Sequence, residues 1–472
     1  MADSVYWINN DYTEASIRCA PLDGSGPVDT VYAGPGDGLN FPLGLALDPA
    51  AGRIYWTSKS DGKIRRAPLD GSGPAAVHYG SDPAHGVSDP VGLTIDPAAG
   101  WLYWSQDEWD NQLGVVGKIR RAPLDGSGPV VTLYGRPWDG VFYPGALVVD
   151  PTAPGAPPER LDLGDTGRAT VGSWFRDLFS GWSTTPVGPP GRIYWGDSGA
   201  IYWAPLAGGG VPRILYAAGF VNELVIDAAA GRIDWPSYAA RALLGAPLDG
   251  RGSIGTLYDG SRGVSGAGGA AIDPNPAEPG PARLEVADTK RFAIGAWLRD
   301  VFSGPNASPG LIYWGNGPST TGGGVNPDDN RIRRAPLDGS GPFEDLYDSN
   351  NDGVSQPSAL ALLRAPLGTG PPTISYPFVL PDEDFQFGGG HSGPLNRELS
   401  CSRGTWAPDL PSSRLYRAPR TFAYQWRLGG TDIPGASAAR YTPTAPGSYA
   451  CRVTAANQAG GATQTSAPFT VS

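Results

Sequence analysis

Short apolar runs, broken by clusters of Gly, Pro, Asp and Ser, fill most of the chain, and their β-branched, aromatic and alternating character predicts strands separated by turns. The pattern repeats. An Ile-Tyr-Trp type core occurs at Val5-Tyr6-Trp7, Ile54-Tyr55-Trp56, Leu102-Tyr103-Trp104, Ile193-Tyr194-Trp195, Ile233-Asp234-Trp235 and Ile312-Tyr313-Trp314. An Ala-Pro-Leu segment follows each core, at Pro21, Pro68, Pro123, Pro205, Pro247 and Pro336, and beyond it comes a second aromatic strand such as Val31-Tyr32 or Leu346-Tyr347. Before the core lies an apolar strand ending in Asp-Pro (Leu45 to Pro49, Leu93 to Pro97, Leu147 to Pro151, Ala271 to Pro274) or in Asp227-Ala228.

Four strands per unit make a propeller blade, so an all-β fold with six blades is expected. The first unit lacks its leading strand, and the orphan run Ser358 to Leu363 after the sixth unit supplies it. Pairing of these N- and C-terminal strands would close the ring and remove exposed edges. Arg53-Ile-Tyr-Trp-Thr57, Lys63 to Gly71 and Gly44 to Pro49 resemble the YWTD repeats of low-density-lipoprotein-receptor propellers, over about residues 5–366. Where the family has its last Asp, this chain has Asn9, Ser58, Gln106, Asp197, Ser237 and Asn316, so bonds specific to that Asp are not carried over. The resemblance implies a binding module more than an enzyme.

Residues 1–370 are therefore expected to form the propeller, with two inserts at about 152–191 and 275–310. Residues 160–181 and 283–304 are two copies of one element, the first with Trp174, Arg176 and Asp177, the second with Trp297, Arg299 and Asp300. The apolar spacing predicts a short amphipathic helix in each, whose stripe is covered either by its own propeller or by a partner. Because two blades share the copy in the same loop, that face is expected to be the docking surface, with Arg176, Asp177, Arg299 and Asp300 at its rim.

Residues 371–472 resemble a bacterial immunoglobulin-like domain, through Cys401, Trp406, Tyr424-Gln-Trp426 and Tyr449-Ala-Cys451. The resemblance implies a sandwich with a Cys401–Cys451 disulfide packed on Trp. Cys19 occupies the slot that holds Arg66, Arg121 and Arg334 elsewhere and is expected to be a half-buried free thiol.

Composition narrows the partners. Gly and Pro make up a quarter of 472 residues, but aromatics at 10% and apolar residues at 40% supply a core, so the chain is folded and turn-dense. A net charge of −11 argues against nucleic acid and anionic membranes. No run is long enough to span a bilayer, and no export signal is visible at Met1. Only four basic residues are Lys, a bias that points to a GC-rich bacterial setting.

Candidate chemistry is sparse. His78, His85 and His391 lack metal spacing, Gly196 to Ala200 lacks the context of a nucleophile elbow, and Asp348 to Gly353 begins like a calcium loop but has Ala359 where the bidentate Glu belongs. The Arg pairs at 65–66, 120–121 and 333–334 are expected to meet carboxylates such as Asp48, Asp96 and Asp150. No catalytic residue, cofactor or metal is assigned. The expected role is non-enzymatic binding, adhesion or assembly on the surface of a bacteriophage particle, as a tail or capsid decoration that binds other particle proteins or a host-surface protein or glycan. The alternatives are a secreted bacterial cell-surface binding protein and a propeller enzyme with an unrecognised centre.

Overall fold

The computed structural model describes residues 3–11, 14–110, 114–135, 139, 141–151, 191–197, 199–274, 310–317, 329–376 and 392–472. These residues are all-β and divide into two units, Val5–Leu362 with Leu410–Leu415, and Met1–Ser4 with Leu363–Asp409 and Tyr416–Ser472. The division between the two units falls at Leu363. Six residues deep in the expected second domain belong to the first unit.

The first unit contains five four-stranded antiparallel sheets and four strands of a five-stranded one. Blades 2 to 6 run in chain order from inner to outer strand, with inner strands Pro42–Asp48, Pro90–Asp96, Pro144–Asp150, Val225–Asp227 and Gly266–Asp273. Blade 1 takes its inner strand from Pro357–Leu363, which pairs with Ser4–Asn9 as expected; Ser16–Pro21 and Asp29–Ala33 complete it. Glycine or a short 3-10 turn ends many of the strands, and the second strand of each blade is buried on both faces because a neighbouring blade covers each side.

Two repeated contacts explain why the sequence carries Tyr in each outer strand and Trp in each second strand. Tyr32, Tyr79, Tyr134, Tyr216, Tyr258 and Tyr347 each donate a hydroxyl hydrogen bond to the Pro carbonyl that ends the next blade's third strand, at 2.5–2.8 Å (Pro68, Pro123, Pro205, Pro247, Pro336 and Pro21). The same tyrosines lie against Trp56, Trp104, Trp195, Trp235, Trp314 and Trp7, with ring centroids 5.5–6.4 Å apart. Each pair joins one blade to the next, and the last, Tyr347 to Pro21 and Trp7, joins blade 6 to blade 1. The unit is a β-propeller whose successive sheets are joined by these contacts. An aromatic pair contributes about 1 kcal/mol beyond its buried area, and the hydroxyl bond a similar amount.

The second unit packs two main sheets over one core. Leu399–Cys401 pairs with Ile374–Ser375 and Arg440–Tyr441, while Thr421–Leu428 pairs with Gly447–Asn457. Leu399, Cys401, Trp426, Tyr449, Cys451 and Val453 form the shared interior. Trp426 stands opposite Cys451 in register and donates its Nε1–H to the Ala438 carbonyl at 2.9 Å. Cys401 and Cys451, the pair expected to form a disulfide, are both buried in this core as thiols in contact with one another. That contact and burial push the Cys401 thiol far above its ordinary range. Cys19 is half-buried and free, and burial raises its thiol to about 11.

Candidate functional site: one face and the centre of the propeller

Strand direction sorts the connections. The loops that lead from each outer strand to the next inner strand, together with the hairpins between second and third strands, emerge on one face. The turns that leave the inner strands emerge on the other, including those after Asp150 and Asp273 where both inserts begin.

On the first face, the residue two beyond each Trp fastens the loop that leads into its own blade. Asn9 accepts from Trp7 Nε1 at 2.8 Å and Ser355 N at 3.1 Å and donates to the Gly353 carbonyl at 2.8 Å. Asn316 repeats this with Trp314, Ser265 and Gly263. Gln106 bridges Trp104 to the Gly86 carbonyl, and Ser58 donates to the Gly38 carbonyl at 2.9 Å. Asp197 receives two amides, Phe142 N at 2.8 Å and Tyr143 N at 3.0 Å. An acceptor-only carboxylate suffices where the loop offers N–H groups alone, whereas Asn and Gln serve where it also presents a carbonyl. Blade 5 departs, since Ser237 receives Ala240 N in its own hairpin; Trp235 Nε1, like Trp195 Nε1 in blade 4, has no acceptor.

The loops so held present Phe41, Phe142, Tyr143 and Phe220, which are 40, 42, 53 and 58% exposed. Phe41 precedes Pro42 with φ 54°, and the equivalent Asp89 and Gln356 also have positive φ. A bulky aromatic in this region carries backbone strain, which the fastened loop sustains. Beside this face Lys59 pairs with Asp107 at 3.3 Å, joining the hairpins of blades 2 and 3. Burial raises the Asp107 carboxyl above its ordinary range while Lys59 opposes the shift.

The centre of the ring is filled. A 3-10 turn at Pro411–Ser413 packs against the inner strands of blades 3 to 6, and Leu362 N donates to the Arg414 carbonyl at 2.8 Å. The Arg414 guanidinium gives Nη1 to the carbonyls of Leu45 and Leu93, both at 2.8 Å, and Nη2 to Glu223 Oε1 at 2.7 Å. Ser413 Oγ donates to the Ile226 carbonyl at 2.6 Å. Leu45 and Leu93 are equivalent positions in blades 2 and 3, so one side chain ties those blades to blade 5. Burial raises the Glu223 carboxyl and Arg414 holds it down. Sequence reasoning missed both residues. Arg414 lies in Leu-Pro-Ser-Ser-Arg-Leu, which has no distinguishing pattern, but Glu223 had a signal: aligned blades carry Gly44, Gly92, Ala146, Gly269 and Ala359 at its position.

Other candidates resolve differently. The six insert residues Trp174, Arg176, Asp177, Trp297, Arg299 and Asp300 lie outside the described residues, as do Ser198 and His391. Asp348 accepts from Asn350 N and Asn351 N, both at 2.8 Å, while Asp352 receives Asp348 N, a turn that recurs where Asp37 holds Ala33 N and Asp139 holds Gly135 N. Among the described residues no group of three or more His, Cys, Asp or Glu is placed to hold a metal. Of the Arg pairs, Arg65, Arg333 and Arg334 do meet carboxylates, on residues other than the examples named from the sequence. Arg65 pairs with Asp61 at 2.7 Å, Arg334 with Glu344 at 2.8 Å, Arg333 with Asp345, and Arg66 and Arg120 donate to the Asp125 and Gly86 carbonyls. Asp48 and Asp96 instead accept Ala51 N and Ala99 N, tightening the turns on the insert face. His78 is packed on Tyr55 and Tyr79, and burial lowers it to about 4; His85 pairs with Asp82 at 2.8 Å.

Compared with known proteins, the chain matches no family description and no curated relative. Solved structures do share the fold. A nidogen/laminin complex aligns at 15% identity and TM-score 0.46, over 76% of this chain and 97% of that one. Virginiamycin B lyase from Staphylococcus aureus aligns at 14% and 0.36, over 68 and 74%. An auxiliary nutrient binding protein from Bacteroides thetaiotaomicron aligns at 9% and 0.38, over 68 and 62%. Similarity at this level carries no function across, although binding proteins are among the matches. The expectation that the chain is not an enzyme is corrected here, because a lyase shares the fold and the propeller is no ground for excluding catalysis. Among the described residues no helix is long and apolar enough to cross a membrane.

Proposed function

We propose that the chain is a binding protein that docks a protein partner on the propeller face carrying Phe41, Phe142, Tyr143 and Phe220. One observation carries the reading: among the described residues, every large aromatic side chain that is exposed lies on these loops of this one face. Exposed aromatic anchors together with charges paired on the same face, here Lys59–Asp107 and Asp61–Arg65, are the residue types of the core and rim of a protein interface. The finer reading is a six-bladed YWTD-type propeller with an immunoglobulin-like second domain, displayed on the exterior of a phage particle or, as the second setting, a bacterial cell surface. The sixfold Tyr–Trp contacts and the Trp426–Cys401–Cys451 core support the domain assignments; facing thiols suit an oxidising exterior, where they would join.

The test places a photo-crosslinking amino acid at position 41 or 143 and, as control, at Val77 on an outer strand. One defined protein captured from both face positions, competed away by unlabelled chain and not captured from position 77, supports the reading. Equal capture from all three positions overturns it. Mass spectrometry of purified particles and of cell-surface fractions then distinguishes the two settings, and free Cys401 and Cys451 in such material would overturn the exterior location.

A further inference from the structure

Arg414 occupies a position that looks made for its head group and not for its residue. Three acceptors from three blades converge on its two terminal nitrogens, while its Nε finds no partner and its backbone sits at φ 58°, in the left-handed region that a non-glycine residue enters only at a cost. Glu223, one charge among the small residues at its level of the ring, is buried and faces this guanidinium. Carbonyls that accept two bonds in the plane of a fork, with a carboxylate for the third, recognise a planar guanidinium far better than a compact ammonium.

We propose that the centre of the propeller is a guanidinium-binding site, built from the Leu45 and Leu93 carbonyls and the Glu223 carboxylate, filled in cis by Arg414 and able to take an alkylguanidinium ligand, such as the arginine side chain of a peptide, when Arg414 is withdrawn. The two carbonyls belong to the ring and are placed without residues 410–415, because the inner strands that carry them are fixed by pairing of Leu45 with Trp56 and Leu93 with Trp104; Glu223 lies two residues before the paired inner strand of blade 5.

The test uses the full chain with Arg414→Gly, which keeps the left-handed backbone, and methylguanidinium as probe, with methylammonium and sodium chlorides at equal ionic strength as controls. Removing one partner of a buried charged pair is expected to lower the melting temperature by about 5 °C or more. Millimolar methylguanidinium should restore at least half of that loss along a saturating curve, with no gain for the parent chain or for Arg414→Gly combined with Glu223→Gln. Absence of saturable recovery, or equal recovery with methylammonium, overturns the site. If Arg414→Gly does not fold, Arg414→Lys is taken through the same titration, and should that fail too, refolding yield with and without methylguanidinium gives the answer: a yield raised only by the guanidinium supports the proposal and an unchanged yield refutes it.

Discussion

Blades 3 and 5 share a backbone and differ at its middle. In blade 3, Tyr103 stands opposite Arg121, whose guanidinium lies 4.5 Å from the centroid of Trp101. In blade 5 the same positions are Asp234 and Gly245, and the place of Trp101 is taken by Arg232, which donates to Asp234 Oδ1 at 2.7 Å. A Cβ on Gly245 would come within 2.1 Å of that oxygen and 2.3 Å of the Arg232 guanidinium. The cation has moved from the third strand to the second, the aromatic ring has become a carboxylate, and the vacated third-strand position must be glycine. What these two blades share is therefore a filled layer with one cation and its partner, while the residues that fill it are exchanged as a set.

The strongest way to break that set is to restore one member alone. Gly245→Arg would place a second guanidinium where the first already lies, combining overpacking with like-charge repulsion in a buried layer, and should cost about 3 kcal/mol or more. Thermal unfolding of the propeller checks it. Adding Asp234→Tyr and Arg232→Trp to rebuild the blade 3 arrangement should recover much of the loss; a triple variant no better than the single one would show that the layers are not interchangeable sets.

This exchange also shows what the sequence made legible. Tyr-Trp, Ala-Pro-Leu and the outer Tyr could be read because the contacts they make recur in every blade, and the strand Ser358 to Leu363 could be assigned because the ring needed it. The position after Tyr-Trp was harder: knowing the residue does not reveal whether its loop offers an amide, a carbonyl or both, so the bonds of Asn9, Gln106 and Asn316 had to be seen. Arg414 was out of reach, since nothing local announces that residues 410–415 belong to the propeller unit and pack against its inner strands. The partners of the Arg pairs were misassigned because strand alternation fixes which face a side chain takes but not how far along the neighbouring blade its partner stands.

A pH titration sharpens the comparison, since blade 3 has no carboxylate at this level. Burial, opposed by Arg232, raises Asp234 from its ordinary 3.8 to about 6, so the folded chain holds this proton more tightly than the unfolded one. The contribution is therefore largest at low pH, and stability should fall by roughly 3 kcal/mol as pH rises from about 4 through 6. His78 acts in the opposite sense: its depressed value makes stability fall as pH drops from about 6.5 to 4. Comparing the parent with Asp234→Asn cancels the histidine, and the difference in unfolding free energy should carry the aspartate slope alone. Parallel curves across that window would mean that Asp234 stays ionised beside Arg232.

The smallest effect tests whether the joints between blades are indifferent to these interior exchanges. Tyr79 enters blade 3 through the Pro123 carbonyl at 2.6 Å and stacks on Trp104, whereas Tyr216 enters blade 5 through the Pro247 carbonyl at 2.7 Å and stacks on Trp235. The geometry is alike although one joint abuts Tyr103 and Arg121 and the other Asp234 and Gly245. Tyr79→Phe and Tyr216→Phe each remove one hydroxyl bond and keep the ring contact, so each should cost about 1 kcal/mol in denaturant unfolding, and the two losses should agree within about 0.5 kcal/mol and add in the double variant. A markedly greater loss at Tyr216 would tie the joint to the altered layer behind it: Trp235 lacks the indole hydrogen bond that Gln106 gives Trp104, leaving the blade 5 tryptophan more dependent on the tyrosine that covers it.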